Sequence, residues 1–226
     1  MNPAAETTDI LPLPSTLQIL LLCLHDDLGR AFLKTVCPRP AGLEGDLQVE
    51  GLPVHLRVLA GEPRGVPGWE ETVREADGVV VLLRFLDVVA MDRLRSLYRR
   101  LPADRSSPLL MLLFREEGER DFKVSCPACG QKLWIRDEDV GKRGRCPNCT
   151  KAFRLPSQAG FLRTQLMLSD AVQILTVISG RVAACRGALA NLVGQMNGAI
   201  VTAALAVDQD VLKKTTVRVQ IQPENG

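Results

Sequence analysis

Two Cys-Pro-x-Cys pairs in the middle of the chain have the residue type and spacing of a metal site. Sixteen residues separate the pairs, which are Cys126-x2-Cys129 and Cys146-x2-Cys149. Four thiolates at this spacing can close a tetrahedron around one Zn²⁺ and leave no coordination position open. A two-residue gap lets one tight turn offer two sulfurs to one ion, and Pro127 and Pro147 stiffen these turns. We therefore predict one zinc ion bound by all four cysteines.

The predicted zinc is structural rather than catalytic. The only two histidines, His25 and His55, are distant in sequence, and nothing else near the cysteines suggests an open ligand position. Residues 122–156 form a segment too short to bury enough apolar surface to fold alone, so the metal must supply folding free energy. Redox use of the cysteines, or no metal at all, are the alternatives to structural zinc.

The cysteine segment is also strongly basic. Residues 122–156 contain eight Lys or Arg and three acids, a net charge of +5, whereas the whole chain of 226 residues has a formal charge of +2. Four thiolates with one Zn²⁺ add −2, which leaves a balance of about +3. This modest patch allows a nucleic-acid-binding module as an alternative function.

The segments "CPACGQKL", "DEDVGKRGRCPNC" and "KAF" resemble a zinc-ribbon family that is widespread in bacterial proteins. The resemblance covers about residues 122–156 and implies two metal-binding knuckles on short strands. It does not imply one activity, because such ribbons bind proteins or nucleic acids. We expect two aromatic residues of the ribbon, Trp134 and Phe153, to pack its small core.

The elements that flank this segment have an α/β pattern. Apolar runs and alternating stretches predict strands at 17–24, 77–85, 107–114 and 171–179, a hairpin around Glu50–Pro53, and an edge strand at 215–222. Helical patterns lie at 28–36, 67–76, 87–101, 161–169 and 181–196. This order predicts a three-layer α/β sandwich around a mostly parallel sheet. The cysteine segment follows the fourth parallel-type strand, at the edge of the sheet where ligands usually bind.

The last predicted helix lies in an uncharged segment that is long enough to suggest a membrane span. Residues 187–207 carry no charge, but the segment contains Asn191, Gln195 and Asn197, so a buried helix is favoured over a membrane span. Its predicted inward residues recur at helical spacing: Val182, Cys185, Leu189, Leu192, Val193 and Met196. The N-terminus lacks the basic start of a signal peptide, and the seven cysteines do not form a disulfide framework, so we expect a cytoplasmic protein.

The order and spacing of the flanking elements resemble a Ras-like small GTPase. A buried first strand, a loop and a helix are followed by a β-hairpin leading to "VLAGEPRG", then by "ADGVVVLL", "LLMLLF" and "ILTVISGR". The resemblance covers roughly residues 16–121 and 159–196. It implies a P-loop-GTPase-like sandwich whose nucleotide motifs follow the first, second, fourth and fifth parallel-type strands.

The residues that a GTPase needs for chemistry are replaced at the matching positions. In the phosphate loop GxxxxGK[ST], Leu24 stands for the first Gly, Arg30 for Lys and Ala31 for the hydroxyl residue, while Gly29 survives. Asp26 and Asp27 place negative charge where phosphates would lie, which disfavours them.

The other motifs are also altered. The Asp of DxxG is Val58, although Gly61 remains, and NKxD reads "FREE" over Phe114–Glu117. The Ser-Ala motif is Ser179-Gly180. We assign no catalytic and no cofactor-binding residue, and we interpret the chain as a pseudo-GTPase. Asp26 and Asp27 also allow a response-regulator receiver as an alternative, but such a domain has an all-parallel sheet that excludes the hairpin.

The sequence therefore predicts a discontinuous GTPase-like domain at 16–121 and 157–226, an inserted zinc ribbon at 122–156 and a flexible lead at 1–15. The predicted function is a non-catalytic, zinc-binding module for protein interaction or scaffolding, in bacterial signalling or assembly. A protein is the expected partner. A nucleic-acid-binding zinc-ribbon protein and a divergent nucleotide-binding GTPase that uses Arg30 are the alternatives.

Overall fold

A computed structural model describes residues 16–61, 66–84, 90–119 and 121–197. The predicted lead at 1–15 and the predicted edge strand at 215–222 lie outside these residues. The ten strands of the described ranges are β1 Leu17–Cys23, β2 Glu44–Val49, β3 Leu52–Ala60, β4 Gly78–Arg84, β5 Leu109–Arg115, β6 Asp121–Ser125, β7 Lys132–Arg136, β8 Arg143–Arg145, β9 Ala152–Arg154 and β10 Gln173–Ile178. The helices are α1 Asp26–Val36, α2 Trp69–Glu75, α3 Ala90–Arg99, α4 Gln158–Leu166 and α5 at 182–197.

Six strands form one mostly parallel sheet, as the sequence predicts. Their order is β10-β5-β4-β1-β3-β2, and only β2 is antiparallel to its neighbour. β2 and β3 form the predicted hairpin, in which Leu47 lies opposite Val54. The parallel pairs include β1 with β3 and β1 with β4, so β1 is central and its apolar run is buried on both faces.

Helices cover both faces of this sheet, which confirms the three-layer prediction. Alternate residues of β1 point to opposite faces: Ile19 packs in one cluster with α1 and α5, and Leu20 packs in the other with α2, α3 and α4. Trp69, at the start of α2, is buried in the second cluster. No helix in the described ranges is long and apolar enough to cross a membrane.

Helix α5 buries most of the residues predicted to face inward. Cys185, Leu189, Leu192, Val193 and Met196 are all buried. The prediction was wrong for Val182, which is 45% exposed because it is the first residue of the helix and lies beyond the packed stripe. Residues 198–207, the rest of the uncharged segment, lie outside the described chain.

The cysteine segment lies between β5 and α4 and forms two small hairpins. β6 pairs with β7, and β8 pairs with β9, both antiparallel. The buried side chains of the first hairpin, Phe122, Val124 and Ile135, belong to the same apolar cluster as α3 and α4. The first hairpin therefore packs against the large sheet's helical layer.

The prediction that Trp134 fills the ribbon's core was wrong. Trp134 is 68% exposed, whereas Phe153 is half-buried. Strand alternation gives the physical reason: Ile135 and the half-buried Leu133 occupy the buried face of β7, so Trp134 between them must point outward.

Candidate metal centre

The four predicted cysteine ligands meet at one point. Their Sγ atoms all lie within 4.8 Å of one another. Cys126 Sγ is 3.7 Å from Cys149 Sγ, and Cys129 Sγ is 3.7 Å from Cys146 Sγ. A tetrahedral ion with metal–sulfur bonds of about 2.3 Å has sulfur–sulfur edges of roughly 3.8 Å. The sulfurs are thus too far apart for disulfides and suitably placed to hold one metal ion.

Two similar turns carry these sulfurs. In the first, the Cys126 N–H donates to Gln131 O at 2.8 Å and the Gly130 N–H donates to Cys126 O at 2.9 Å. In the second, the Cys146 N–H donates to Lys151 O at 3.1 Å and the Thr150 N–H donates to Cys146 O at 2.9 Å. Each turn therefore closes through the same two backbone bonds and aims both of its cysteines at one centre.

Thr150 takes the place that Gly130 has in the first turn. Gly130 has φ +73° and Thr150 has φ +59°, a left-handed conformation that favours glycine. The Thr150 hydroxyl donates to Cys149 O at 2.7 Å. The departure from Gly that the sequence shows in the second knuckle does not change the fold of the turn.

Polar groups around the sulfurs stabilise two of them as thiolates. The Ala128 N–H, which donates to Cys126 Sγ at 3.4 Å, lowers the pKa of the Cys126 thiol. The Gln131 N–H and the Asn148 amide, which is 3.6 Å from Cys129 Sγ, lower the pKa of Cys129 to about 6. Thiolates are the form that binds metal.

The Cys149 sulfur differs from those of Cys126 and Cys129 because the neighbouring sulfurs disfavour its thiolate form. The Lys151 N–H lowers the pKa of the Cys149 thiol, but burial and the neighbouring sulfurs raise it more, to about 11. This repulsion is what a divalent cation at the centre removes. A tetrahedral set of four sulfurs suits Zn²⁺ or iron among the common metals.

A salt bridge joins the metal-binding segment to the large sheet. Arg115, the last residue of β5, places Nη1 2.8 Å from Asp137 Oδ2. Asp137 begins a 3₁₀ turn, Asp137–Asp139, that connects β7 to β8. Arg115 also lies at the position that the resemblance matches to NKxD, so this position contacts the cysteine segment.

The matching phosphate-loop residues follow β1 and pair with one another. The Arg30 guanidinium donates to Asp26 Oδ2 at 3.1 Å, one helical turn away. Asp27 forms an ion pair with Arg84 at the end of β4. Both acids lie in the first turn of α1, where the helix dipole favours negative charge. The protein's own carboxylates therefore take the place that a bound phosphate would need.

Gly29 brings α1 close to β3. A Cβ at position 29 would lie 2.4 Å from Val58 Cγ1 and 2.9 Å from Val58 Cγ2. Val58 is the residue that replaces the metal-binding Asp of DxxG, and it is buried. Packing therefore explains why glycine stands at position 29, without a phosphate.

The altered base-recognition positions are also paired internally. Phe114 packs edge-on against Phe32 of α1, with ring centroids 5.7 Å apart. Glu117 accepts a hydrogen bond from Arg181 Nη2 at 2.7 Å. The Ser179 N–H donates to Arg115 O at 2.8 Å. Glu117, the one acid that could imitate the guanine-reading Asp, is thus already in an ion pair.

A small cavity of about 130 Å³ opens near the ends of β1 and β4. Its walls are mainly apolar side chains from β4, β5, α3 and α4, and His25, Asp27 and Arg84 supply its polar groups. The lining residues are Leu24, His25, Asp27, Leu28, Leu82, Leu83, Arg84, Met91, Leu94, Leu113 and Leu162. Among the described lining residues Arg84 is the one Lys or Arg, and it is paired with Asp27, whereas a triphosphate site concentrates several cationic and N–H donors.

No protein-family model matches the chain, and no curated protein matches it. The class of protein is therefore defined by the structure alone: an α/β protein with a mostly parallel six-stranded sheet and a four-cysteine cluster that could hold a metal ion. Spacing in the sequence located the cysteines. The sequence contains no signal for the Asp27–Arg84 ion pair, because these two residues are 57 positions apart in sequence and meet only at the edge of the folded sheet.

Proposed function

We propose that this chain is a non-catalytic interaction module: a GTPase-like host that has lost nucleotide binding and carries an inserted zinc ribbon at 122–156. One structural Zn²⁺ is held by Cys126, Cys129, Cys146 and Cys149. The module acts by binding a protein partner, as a scaffold in bacterial signalling or assembly.

The order of elements supports a GTPase-like host. The resemblance implies a β-hairpin that adds one antiparallel strand to an otherwise parallel sheet, and β2 has that arrangement. The strands that would carry nucleotide motifs, β1, β3, β5 and β10, are parallel, so their carboxyl ends lie at one edge of the sheet. The antiparallel pairing of β2 with β3 disfavours the response-regulator receiver alternative, because the sheet of a receiver is all-parallel.

The observation that carries the proposal is the self-pairing of the former nucleotide site. Asp26, Asp27 and Arg30 are engaged in ion pairs within the protein, and Glu117 is bound to Arg181. Two carboxylates at a helix N-terminus repel a phosphate, and displacing them would leave Arg84 without its acid. Exposed pairs such as these add little stability, so their importance here is the charge that they place at the site.

The sulfur geometry supports a structural role for the metal. All four ligands come from the protein, which leaves no position for water or substrate. Zinc is the usual ion in a closed four-cysteine site with two C-x2-C turns. A metal site with no open position stabilises the fold around it and does not bind a substrate. The surface of that fold can then bind a partner.

The first test combines metal analysis with nucleotide binding. Protein purified without added nucleotide is analysed for metals, and calorimetry measures GTP, GDP, ATP and ADP with Mg²⁺ present. We expect one zinc per chain and no nucleotide affinity tighter than about millimolar. Partner capture then compares the wild type with the Cys126→Ser/Cys129→Ser variant, which we expect to lose ribbon-dependent partners.

Tight guanine-nucleotide binding would overturn the pseudo-GTPase proposal. In that case Arg30→Gln should abolish the binding, since Arg30 stands where the phosphate-binding Lys would be. Lys34→Gln is the matched control, because Lys34 is exposed on the same helix one turn further on. Loss in the first variant alone would establish a divergent nucleotide site.

A further inference from the structure

The outward face of the β6–β7 hairpin carries one exposed aromatic side chain among cations. We call it the Trp134 face; it consists of Asp121, Lys123, Ser125, Lys132, Trp134 and Arg136. The strand register places Lys123 opposite Trp134, and Ser125 opposite Lys132. On the other side of the same strands, Phe122, Val124 and Ile135 are buried. The packing of these residues fixes the direction in which the Trp134 face points.

Trp134 is unusually accessible for its size. It is 68% exposed, whereas Trp69, the other tryptophan, is 4% exposed. Lys123 Nζ lies 4.5 Å from the centroid of the Trp134 ring, in cation–π geometry. The lysine and the rigid strand hold the indole in an outward position, where its flat surface can receive a ligand.

Cations without acidic partners surround the metal-binding turns. Lys132, Arg143, Arg145 and Lys151 form no ion pair with any described residue, whereas Asp137 and Asp139 are already paired with Arg115, Arg136 and Lys142. Arg145 directly precedes Cys146, and Lys151 closes the second turn through its carbonyl. Because the four cysteines converge, the positive ends of both hairpins lie near one centre.

This composition identifies the kind of ligand. Protein interfaces bury an apolar centre and are depleted in Lys, but the Trp134 face has a single aromatic with charged and polar neighbours. Surfaces that bind single-stranded nucleic acid combine stacked aromatics with cations that follow the phosphates. Side chains two residues apart on a strand are about 6.8 Å apart, so Lys132 lies beside the indole. Arg136, on the other side of the indole, is paired with Glu138 and Asp139.

We propose that the Trp134 face binds single-stranded nucleic acid. A base stacks on the Trp134 indole, and Lys132, which forms no ion pair with any described residue, contacts the adjoining phosphate. The cations of β8 and of the second metal-binding turn extend the path. The site is separate from the former nucleotide pocket of the host, so it stands or falls independently of the proposed pseudo-GTPase function.

The test uses the full-length, zinc-loaded chain and fluorescein-labelled oligonucleotides. Anisotropy measures binding of a short poly-U RNA, poly-dT DNA and a mixed-sequence duplex, and poly-glutamate serves as a competitor. We expect single strands to bind more tightly than the duplex. The logarithm of the binding constant should fall with the logarithm of salt concentration with a slope of about −2.8, as for four phosphate contacts from Lys132, Arg143, Arg145 and Lys151.

Variants separate stacking from charge. Trp134→Ala should weaken single-strand binding about tenfold or more, and Trp134→Phe should retain most of it because a stacking ring remains. Lys132→Gln should weaken binding and reduce the salt slope by about 0.7, since one phosphate contact is lost. Lys34→Gln, an equal change of charge on α1, is the control and should change neither quantity.

Intrinsic fluorescence gives a second measurement in a Trp69→Phe background, where Trp134 is the only indole. Stacking predicts quenching that saturates with the anisotropy signal. Unchanged affinity in Trp134→Ala, or equal competition by poly-glutamate, would overturn the proposal and indicate a surface that merely attracts polyanions or acidic proteins. Zinc content and circular dichroism of each variant ensure that a loss is not caused by unfolding.

Discussion

Gly29 lies where helix α1 comes closest to strand β3. The space at this position is occupied by Val58, whose two methyl groups are 2.4 and 2.9 Å from where a Cβ would be. In a phosphate loop a Gly allows the approach of a ligand, whereas Gly29 allows the approach of the Val58 side chain. At the scale of single residues, the packing of α1 against β3 accounts for this glycine.

Replacing Gly29 with Ala should destabilise the protein by about 1–3 kcal/mol, because the new methyl group overlaps Val58 and core overpacking has that cost. Urea denaturation measures the change. Gly187→Ala in α5 is the control: nothing lies within 4 Å of its Cβ, so the better helix propensity of Ala should make it neutral or stabilising. Val58→Ala should relieve the cost of Gly29→Ala, and a lack of such coupling would contradict the packing explanation.

Cys23, Cys37 and Cys185 are buried and lie outside the metal-binding cluster. Burial raises the pKa of each of these thiols to about 11. In the unfolded chain a thiol loses its proton near pH 9, whereas in the folded protein these thiols stay protonated up to about pH 11. Between these values, a rise in pH stabilises the unfolded state relative to the folded state. The stability that these thiols contribute is fully present below pH 9 and is lost as the pH rises toward 11.

The free energy of unfolding should therefore fall between pH 8 and pH 10 more steeply in the wild type than in Cys23→Ala. The expected difference is about 1 kcal/mol, since one pKa unit corresponds to 1.36 kcal/mol. Urea denaturation at the two pH values measures it, and comparison of the slopes removes the contribution of all other groups. Parallel slopes would show that Cys23 ionises as readily in the folded protein as in the unfolded chain.

At the scale of elements, the β6–β7 hairpin is the connection between the cysteine segment and the sheet. Phe122 is 1% exposed and belongs to the cluster that contains residues of α3 and α4. Helix α4 follows the end of the cysteine segment and is capped by Ser157, whose hydroxyl accepts a hydrogen bond from the Gly160 N–H at 3.0 Å. The cysteine segment is therefore fixed at both ends by well-defined local structure.

Phe122→Ala should destabilise the large sheet by about 3–5 kcal/mol, because it removes a buried ring from a cluster that the sheet shares. Thermal unfolding followed by circular dichroism, with zinc content measured alongside, tests this. Phe153→Ala in β9 is the matched control: its ring is only half-buried, so the loss should be markedly smaller. Equal and small effects would mean that the ribbon folds without support from the sheet.

The elements of the sheet could be predicted from the sequence because burial on both faces leaves continuous apolar runs, as in β1, β4 and β5. The cysteine ligands could be predicted because their spacing reflects the geometry of a single ion. The outward direction of the Trp134 side chain could not be predicted. The face of a two-stranded hairpin that becomes buried depends on what the hairpin packs against. Phe122 and Ile135 meet α3 and α4 only after the sheet has formed.

At the scale of the whole molecule, the shared apolar cluster and the Arg115–Asp137 salt bridge join the cysteine segment to the rest of the described chain. Within the segment, the four sulfurs converge and bring its two hairpins together. The sheet and its two apolar clusters do not depend on the sulfurs for their own packing. The metal should consequently control the order of residues 121–155 more than that of the sheet.

Removing the metal should therefore unfold the cysteine segment while the central sheet stays folded. Hydrogen exchange measured by mass spectrometry after chelation should show fast exchange in β7, β8 and β9, because their hairpins lose the ion that joins them. Strands β1 and β4 should keep their protection. Cys126→Ser/Cys129→Ser is the control and should show the unprotected pattern with or without chelator. Protection that persists in the metal-free wild type would show that packing suffices for the segment. Loss of protection in β1 as well would show that the metal stabilises the whole chain, and either result would contradict separate stabilisation of the sheet and the cysteine segment.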